Sequence, residues 1–398
     1  MTRTAATFAP PVMEARRWLD GVTFASDRPL INVSQAAPVD PPPQALRAAI
    51  AELVLTNDEA HLYGPVLGLP ELRAELATQC GAHYGADIRA DHVAITSGCN
   101  QAFAATLSAI TGEGDEVIIP TPWYFNHKMW LDMMGIGAVA LATGPDLLPD
   151  PVHAQSLITP RTRAIALVSP NNPGGVEYPA ELIKAFYDLA QANGLKLILD
   201  ETYRDFDSRV APEGRGVKTG APHALFTDPD WSQTLIHLYS FSKAYRLTGH
   251  RVGAMITAPA LLAEAEKFLD TVAICPNQIG QHAALWGLQN LKQWLAEQRA
   301  EILNRRAAIE QGFPTLADQG WKLMGVGAYF AYLQHPFAMD SDSLAQALVR
   351  EAGVLLLPGT MFTPQGDAAG KRQIRIAFAN IDQTGILSLF NRLNNLPF

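Results

Sequence analysis

Short apolar runs alternate with segments of helical periodicity over most of the chain. Six runs are rich in β-branched and aliphatic residues and are bounded by turn-forming residues, which is typical of strands. Most of them are apolar throughout, as expected for strands that helices cover on both faces. These runs are residues 92–96, 116–120, 163–169, 195–200, 234–240 and 252–257. The alternation predicts an α/β unit with a mostly parallel sheet.

The pattern changes near residue 276. Helical periodicity over residues 278–313 predicts one or two long helices, and three apolar runs then predict the strands of a smaller α+β unit, at 328–334, 354–359 and 373–379.

Three parts of the chain follow from these patterns. The run PVDPPP at 38–43 is typical of a stiff, extended link. We therefore predict an N-terminal arm that joins the small domain (1–45), a large ligand-binding domain (46–276) and a small C-terminal domain (277–398).

Five predicted strands run directly into segments that are rich in polar residues and glycine. Ligands of open α/β sheets bind beyond the carboxyl ends of the strands, so these segments are expected to share one crevice. The segments are TSGCNQ (96–101), TPWYFN (121–126), PNNPGG (170–175), ETYRDF (201–206) and SFSK (240–243).

The first of these segments indicates an anion site. Gly98 leads into a predicted helix, whose first amides, at Cys99 and Asn100, would face an anion together with the helix dipole. A glycine before a helix is more often only a turn. Hydroxyls and a guanidinium that suit a phosphate come from Ser240, Ser242 and Arg251.

Asp200 ends an apolar strand, so its carboxylate is expected to be buried and to need a partner. Capping of a following helix is one alternative, and a protonated ring nitrogen of a ligand is another. Tyr203 and Asn172 are placed to reach an oxygen on such a ring, and Tyr124 or Trp123 offers an aromatic face for stacking.

A phosphate, a protonated ring nitrogen, a ring oxygen and the amine of Lys243 together describe pyridoxal 5′-phosphate. The chain resembles the fold-type I enzymes that depend on this cofactor, specifically the class I/II aminotransferases related to aspartate aminotransferase. The motifs that carry the resemblance, in order, are YGPVLGLPELR, PTPWYF, SPNNPGG, LDETY, SFSKAYRLTGHRVG and RIAFA. The family implies a large domain with a mostly parallel seven-stranded sheet flanked by helices, plus a smaller α+β domain.

The resemblance assigns roles residue by residue. Lys243 matches the Schiff-base lysine and proton shuttle, Asp200 the partner of the pyridine nitrogen, and Tyr203 and Asn172 the donors to the ring oxygen. Tyr124 matches the stacking aromatic residue. The remaining assignments are the phosphate cup (Gly98, Cys99, Asn100, Ser240, Ser242 and Arg251), the substrate residues (Ala36, Asn172 and Arg375, which clamps the α-carboxylate) and Tyr63, which reaches the phosphate of a neighbouring subunit. Tyr63 therefore implies a homodimer with shared active sites.

The resemblance implies ping-pong transfer of an amino group from an L-amino acid to a 2-oxo acid, with 2-oxoglutarate as the expected acceptor. Two alternatives stay open. A C–S lyase or synthase can use the same cofactor residues. A cofactor-sensing regulator would need an added DNA-binding domain, and the Pro-rich, non-basic residues before the body disfavour one.

Several positions depart from the family pattern. Gly174 stands where a threonine is usual, and SQAAP (34–38) replaces a glycine motif, which puts the substrate in doubt. His127 and Lys128 are expected to be solvated or to cap a helix rather than to touch the substrate.

Composition and charge bear on whether the protein binds nucleic acid, a membrane or a metal, and on where it is located. A net charge of −9 with 17% charged residues indicates neither nucleic-acid binding nor an anionic membrane surface. No apolar run is long enough for a membrane helix, the N-terminus lacks the apolar core of a signal peptide, and no histidine spacing indicates a metal site. Three widely spaced cysteines favour a reducing, cytoplasmic location.

Overall fold

The computed structural model describes residues 2–209 and 220–396. The strands among them are β1 Ile31–Asn32, β2 Val93–Thr96, β3 Glu116–Thr121, β4 Gly137–Ala142, β5 Thr162–Val168, β6 Lys196–Asp200, β7 Leu235–Ser240, β8 Gly253–Ile256, β9 Lys322–Gly327, β10 Phe330–Gln334, β11 Val354–Leu355, β12 Leu357–Pro358 and β13 Gln373–Ile376.

The α-helices are α1 Pro11–Arg17, α2 Gln44–Thr56, α3 Pro70–Tyr84, α4 Cys99–Ile110, α5 Phe125–Met134, α6 Pro151–Leu157, α7 Ala180–Ala192, α8 Trp231–Thr234, α9 Phe241–Ala244, α10 Pro259–Ala273, α11 Gln278–Asn290, α12 Lys292–Gly312, α13 Pro314–Ala317, α14 Ser341–Ala347 and α15 Gln383–Asn394. A 3₁₀ turn, Arg204–Phe206, follows β6.

The larger sheet has seven strands in the order β2-β8-β7-β6-β5-β3-β4. Only β8 runs against its neighbours, and the other pairs are parallel. All six strands predicted for this unit are present, and every residue of β2, β3, β7 and β8 is buried. The predicted α/β fold with its mostly parallel sheet is therefore confirmed.

Strand β4 was not among the six predicted strands. Its sequence GAVALA consists mainly of small residues with weak strand preference, and it lies at the edge of the sheet, where most of its residues are incompletely buried. The run is apolar but poor in β-branched residues, so it lacks the composition that predicts the other strands.

Helices cover both faces of this sheet. On one face, Leu72 of α3 and Phe186 of α7 pack in a core that includes Ile95 and Leu197. On the other face, the core contains Phe103 of α4, Leu131 of α5 and Leu262 of α10, with Val117 and Ile198. This two-sided cover explains why the central strands are apolar throughout.

The C-terminal part forms an antiparallel sheet in the order β12-β13-β10-β9. The core beside it contains Ile309 of α12, Leu389 of α15 and Phe330 of β10. The run predicted as a single strand at 354–359 forms two strands that are separated at Leu356. Strand β11 pairs in parallel with β1, and β12 pairs with β13 in the antiparallel sheet. Strand β9 was not predicted, and the predicted long helical stretch is divided into α11 and α12.

The division into three parts stays a prediction, and the packing bears on its boundaries. Ala283 and Leu288 of α11 belong to the same core as Leu72, so this helix packs with the large unit and favours a boundary near Leu291. The N-terminal arm contacts both units: β1 pairs with β11, while Arg3 Nη1 donates to the Met134 carbonyl 2.8 Å away.

Within the described residues, no helix combines the length and the apolar character that crossing a membrane would require.

Candidate active site

A cavity of about 310 Å³ lies beyond the carboxyl ends of the parallel strands. Segments that follow β2, β3, β5, β6 and β7 line it, together with the N-terminal arm and β13. The predicted site residues along its wall are Ala36, Cys99, Asn100, Tyr124, Asn172, Asp200, Tyr203, Ser240, Ser242, Lys243, Arg251 and Arg375. The structure therefore brings together residues that are far apart in sequence.

Two predicted residues do not line the cavity. Gly98 lies just behind the wall, against Arg251. Tyr63 is on the surface with 80% of its area exposed. Of the two aromatic candidates for stacking, Tyr124 lines the cavity, whereas the ring of Trp123 lies 5.7 Å from Lys128 Nζ.

One end of the cavity suits an anion. Gly98 caps α4 with a φ of 86°, and a Cβ on it would lie 2.2 Å from Arg251 Nη2, so only glycine allows this approach. Arg251 Nη1 donates to the Ser242 hydroxyl at 3.3 Å, and the Ser242 amide donates to the Ser240 hydroxyl at 3.2 Å. These groups and the first amides of α4 surround a space that fits a phosphate.

Asp200 is buried at the end of β6, with 3% of its area exposed. The Thr202 amide donates to its Oδ1 at 2.9 Å, and His127 Nε2 lies 3.3 Å from its Oδ2. Burial alone would raise the pKa of Asp200, but the contacts with His127 and Thr202 outweigh it and hold the pKa below its ordinary value. The cavity therefore contains a carboxylate that stays ionised and can face a cationic nitrogen.

His127 is a site residue that the sequence reasoning missed. It is 3% exposed rather than solvated, and its ring stacks on Phe103 at 3.8 Å between centroids and meets Tyr124 edge-on at 5.0 Å. The spacing gave a signal, because residues three apart on a helix share a face and His127 follows Tyr124 by three. Lys128, by contrast, pairs with Asp132.

The rest of the wall was also not predicted. It includes one residue from α1, one from the arm and one from α5, namely Val12, Gln35 and Asn126. Gln35 and Asn126 lie in segments already linked to the site, SQAAP (34–38) and TPWYFN (121–126), but were not assigned individually, and Val12 lies outside every such segment.

Two tyrosines lie on the wall beside Asp200. Tyr124 accepts a hydrogen bond from Asn126 Nδ2 at 2.8 Å and donates to Asn100 Oδ1 at 3.3 Å, which fixes its ring. Tyr203 is 4% exposed, and burial raises its pKa well above the ordinary value, so its hydroxyl is protonated and can donate.

Lys243 lies on α9, directly after β7, and its Nζ donates to the Ala36 carbonyl at 2.5 Å. Burial, then Arg251 and Arg375, lowers its pKa to about 8. A lysine with this pKa is partly neutral near physiological pH, which a nucleophile or a base requires.

Arg375 on β13 is 2% exposed and faces the cavity from the C-terminal part. Its Nη1 donates to Asn172 Oδ1 at 2.9 Å, and its Nη2 donates to the Ser34 carbonyl. The rings of Phe330 and Phe362 flank the guanidinium. Its Nε has no hydrogen-bond partner among the described residues. A buried guanidinium that pairs with no carboxylate in the described part of the chain is suited to bind one from a ligand.

Comparison with known proteins identifies the family. The sequence model described as "Aminotransferase class I and II" matches residues 28–393. The chain belongs to this family. The aminotransferase is 28% identical to a probable aspartate/prephenate aminotransferase of Thermus aquaticus, over 80% of this chain and 79% of that protein. It is 29% identical to a valine–pyruvate aminotransferase of Mycobacterium tuberculosis, over 88% of this chain and 87% of that protein.

Solved structures agree with this placement. The fold of this aminotransferase matches that of aspartate aminotransferase from Thermus thermophilus with maleate at a TM-score of 0.85. The two are 26% identical, and the match covers 98% of each chain. The predicted family and fold type are therefore confirmed.

The cofactor of this aminotransferase is pyridoxal 5′-phosphate, and the residues of the cavity fit it. The glycine cradle at Gly98 with Arg251 suits the phosphate, the ionised Asp200 suits the ring nitrogen, and Lys243 suits the carbonyl carbon. Each of these groups has the charge or protonation state that the matching part of the cofactor needs.

If Lys243 is the amine that bonds the cofactor, its lowered pKa predicts how the rate of cofactor capture depends on pH. Only the neutral amine attacks a carbonyl, so capture by cofactor-free protein should accelerate with pH until most of Nζ is neutral, above a pKa of about 8. Between pH 7 and pH 9 the neutral fraction rises about tenfold. Stopped-flow absorbance should show that rise, and a rate still climbing steeply above pH 10 would show an ordinary lysine.

Proposed function

We propose that this aminotransferase moves the amino group of an L-amino acid to a 2-oxo acid in two half-reactions that use the same cavity. The observation that carries the proposal is the arrangement of three groups around one cavity: Lys243 with its lowered pKa, the ionised Asp200 and the buried Arg375. Lys243 supplies the reactive amine, Asp200 suits the nitrogen of the cofactor ring, and Arg375 suits the α-carboxylate of the substrate.

The bound cofactor supplies the electron sink that stabilises negative charge at the substrate α-carbon. Arg375 holds the α-carboxylate and thereby orients the α-carbon toward Lys243. With its amine free, Lys243 Nζ would accept the proton from the substrate α-carbon and pass it on, which is the role of a proton shuttle. When the cofactor is bound, Asp200 would keep a proton on the ring nitrogen, and Tyr203 and Asn172 would donate to the ring oxygen.

The second substrate completes the cycle. A 2-oxo acid must receive the amino group in the same cavity, and we propose 2-oxoglutarate because the resemblance implies it. The C–S lyase or synthase alternative is not favoured, since the similar proteins described above are named aminotransferases.

The experiment that tests the proposal is a single turnover without acceptor. Purified protein with bound cofactor is mixed with one L-amino acid at a time, and the cofactor absorbance and the released 2-oxo acid are followed. We expect one equivalent of 2-oxo acid per site, after which 2-oxoglutarate should restore the starting spectrum. Continuous release of ammonia or of a side-chain fragment, with an unchanged spectrum, would contradict amino transfer. Restoration by other 2-oxo acids alone would exclude 2-oxoglutarate as the acceptor.

We also propose a homodimer in which Tyr63 reaches the partner's phosphate site. Tyr63 lies in an exposed apolar region that includes the ends of α2 and α10. His61 contacts the Val54 carbonyl at 2.9 Å, and the Gly64 amide donates to Cys275 Sγ at 3.4 Å, which joins the two ends. The exposed members are Val54, Leu55, Leu62, Tyr63, Val272 and Ile274.

Such a surface is typical of an interface between subunits. Sedimentation equilibrium should give the mass of two chains. A single-chain mass at micromolar concentration, with full activity, would exclude shared sites.

A reducing, cytoplasmic location is supported by Cys80, Cys99 and Cys275, which are free thiols in the structure. Fractionation of the source cells with a specific antibody would test it, and recovery from an oxidising compartment would contradict it.

A further inference from the structure

A second buried carboxylate lies directly behind the one that faces the cavity. Glu201 follows Asp200 in sequence, and the two are 0% and 3% exposed. Successive side chains at the end of a strand point to opposite faces of the sheet. Asp200 faces the cavity, and Glu201 faces the layer formed by α3 and the loop that contains His223.

Three side chains converge on the Glu201 carboxylate. The Tyr84 hydroxyl at the end of α3 donates to Oε2, His237 Nε2 of β7 lies 2.7 Å from the same oxygen, and His223 Nε2 lies 3.5 Å from Oε1. All three side chains are buried. The carboxylate is thus held by groups from three separate parts of the chain.

The charge of Glu201 is stabilised by this surrounding. Burial alone would raise its pKa, but His223 and His237 outweigh that effect and hold the pKa well below the ordinary value. Arg204 lies nearby, stacked over the rings of Tyr84 and Tyr239 and 3.5 Å from Asp205. A buried charge costs several kcal/mol unless it is paired and hydrogen-bonded. The contacts with Tyr84, His223 and His237 offset this cost for the Glu201 carboxylate.

The backbone of Glu201 holds the segment that carries two cavity residues. Its amide donates to the Leu238 carbonyl of β7 at 2.9 Å, and its carbonyl accepts from the Arg204 amide at 3.0 Å, which starts the 3₁₀ turn. Asp200 and Tyr203 lie on either side of this anchor and both line the cavity. A rotation of residue 201 would therefore move both side chains together.

We propose that Glu201 is a positioning residue, which, held by Tyr84, His237 and His223, fixes Asp200 and Tyr203 against the cofactor ring. It does not touch the cavity. It acts by preventing rotation of the chain between β6 and the 3₁₀ turn. The proposal rests on the cofactor site and is independent of which amino acid reacts.

Two matched variants test it. Tyr84→Phe removes the hydroxyl that donates to Glu201, and Tyr187→Phe removes a hydroxyl that donates to Asp228 at 2.9 Å. Both tyrosines belong to the same hydrophobic core, and Tyr187 does not line the cavity. The pair therefore separates the link to Glu201 from the general cost of losing a buried hydroxyl.

The measurements use cofactor-free protein. For Tyr84→Phe we expect faster hydrogen exchange at the amides of Arg204, Phe206 and Asp207, which the turn now protects, and affinity for pyridoxal 5′-phosphate weakened by about tenfold. Tyr187→Phe should leave both at wild-type values. Unchanged exchange and affinity in Tyr84→Phe, or equal losses in both variants, would show that the cluster serves stability alone.

Glu201→Gln gives the stronger form of the test. Because it keeps the shape and removes the charge, the cofactor affinity should fall by about 10-fold to 100-fold. If this variant does not fold, the comparison of the two tyrosine variants still decides. An affinity equal to that of the wild type would overturn the proposal. Since no amino acid is present, a failure here leaves the proposed amino transfer intact.

Discussion

Lys243→Ala is expected to reduce turnover by at least about 1,000-fold, because the protein loses both its nucleophile toward the cofactor and its base for the α-proton. The fold should persist, since Lys243 donates a single hydrogen bond within residues 2–209 and 220–396, to the Ala36 carbonyl, and its stem lies beside an open cavity. The variant should still bind pyridoxal 5′-phosphate through the phosphate end, at Gly98 and Arg251. Steady-state kinetics measures turnover, circular dichroism measures the fold, and an absorbance spectrum with borohydride trapping shows whether the cofactor is bound and whether a lysine is linked to it.

Lys184→Ala is the matched control for that experiment. Lys184 pairs with Asp188 on the surface of α7, so its loss removes a lysine without reaching the cavity. It should retain wild-type turnover and borohydride trapping. Wild-type turnover in Lys243→Ala itself would remove Lys243 from the reaction and with it the proposed function.

The central strands could be predicted because physical burial leaves a direct trace in sequence. Strands such as β3 and β7 are buried at every position, and their apolar runs end where polar segments begin. Strands β4 and β9 lie at sheet edges and are incompletely buried, and their sequences, GAVALA and KLMGVG, are poor in β-branched residues, so their composition does not mark them as strands. Packing between distant helices leaves no local trace at all, and so the association of α11 with α3 became visible only in the structure.

The residues of the site divide in the same way. Those fixed by a local motif, such as Gly98 before α4 or Lys243 after β7, were assigned from the sequence, and they lie directly behind the cavity wall or on it. His127 and Glu201 act through contacts across the fold, for which the sequence near them gives only weak signals. The nearest signal for Glu201 was two consecutive acidic residues at the end of an apolar strand, a pattern that requires two separate buried partners.

Arg375→Ala is expected to raise KM for the amino acid by roughly 10-fold to 150-fold, equivalent to the 1.5 to 3 kcal/mol of a charged hydrogen-bonded contact. Arg375 is the cation that faces the cavity from the C-terminal part, and Asn172 and the flanking rings of Phe330 and Phe362 hold it in place. Arg375→Lys keeps the charge but not the planar fork, so its loss should be smaller. The half-reaction rate, measured against amino acid concentration, gives the effect.

The control for Arg375 is a substrate rather than a variant. A primary amine that lacks the α-carboxylate offers nothing for the guanidinium to bind, so it should react equally slowly with the wild type and with Arg375→Ala. If the variant slows the amine and the amino acid by the same factor, Arg375 supports the shape of the cavity and does not clamp the carboxylate. If only the reaction of the amino acid slows, Arg375 binds the α-carboxylate. A residue from the C-terminal part then selects the substrate, while the large unit binds the cofactor. Substrate binding would then join the two units directly, because Arg375 lies on β13 while Lys243 and Asp200 lie at the ends of β7 and β6.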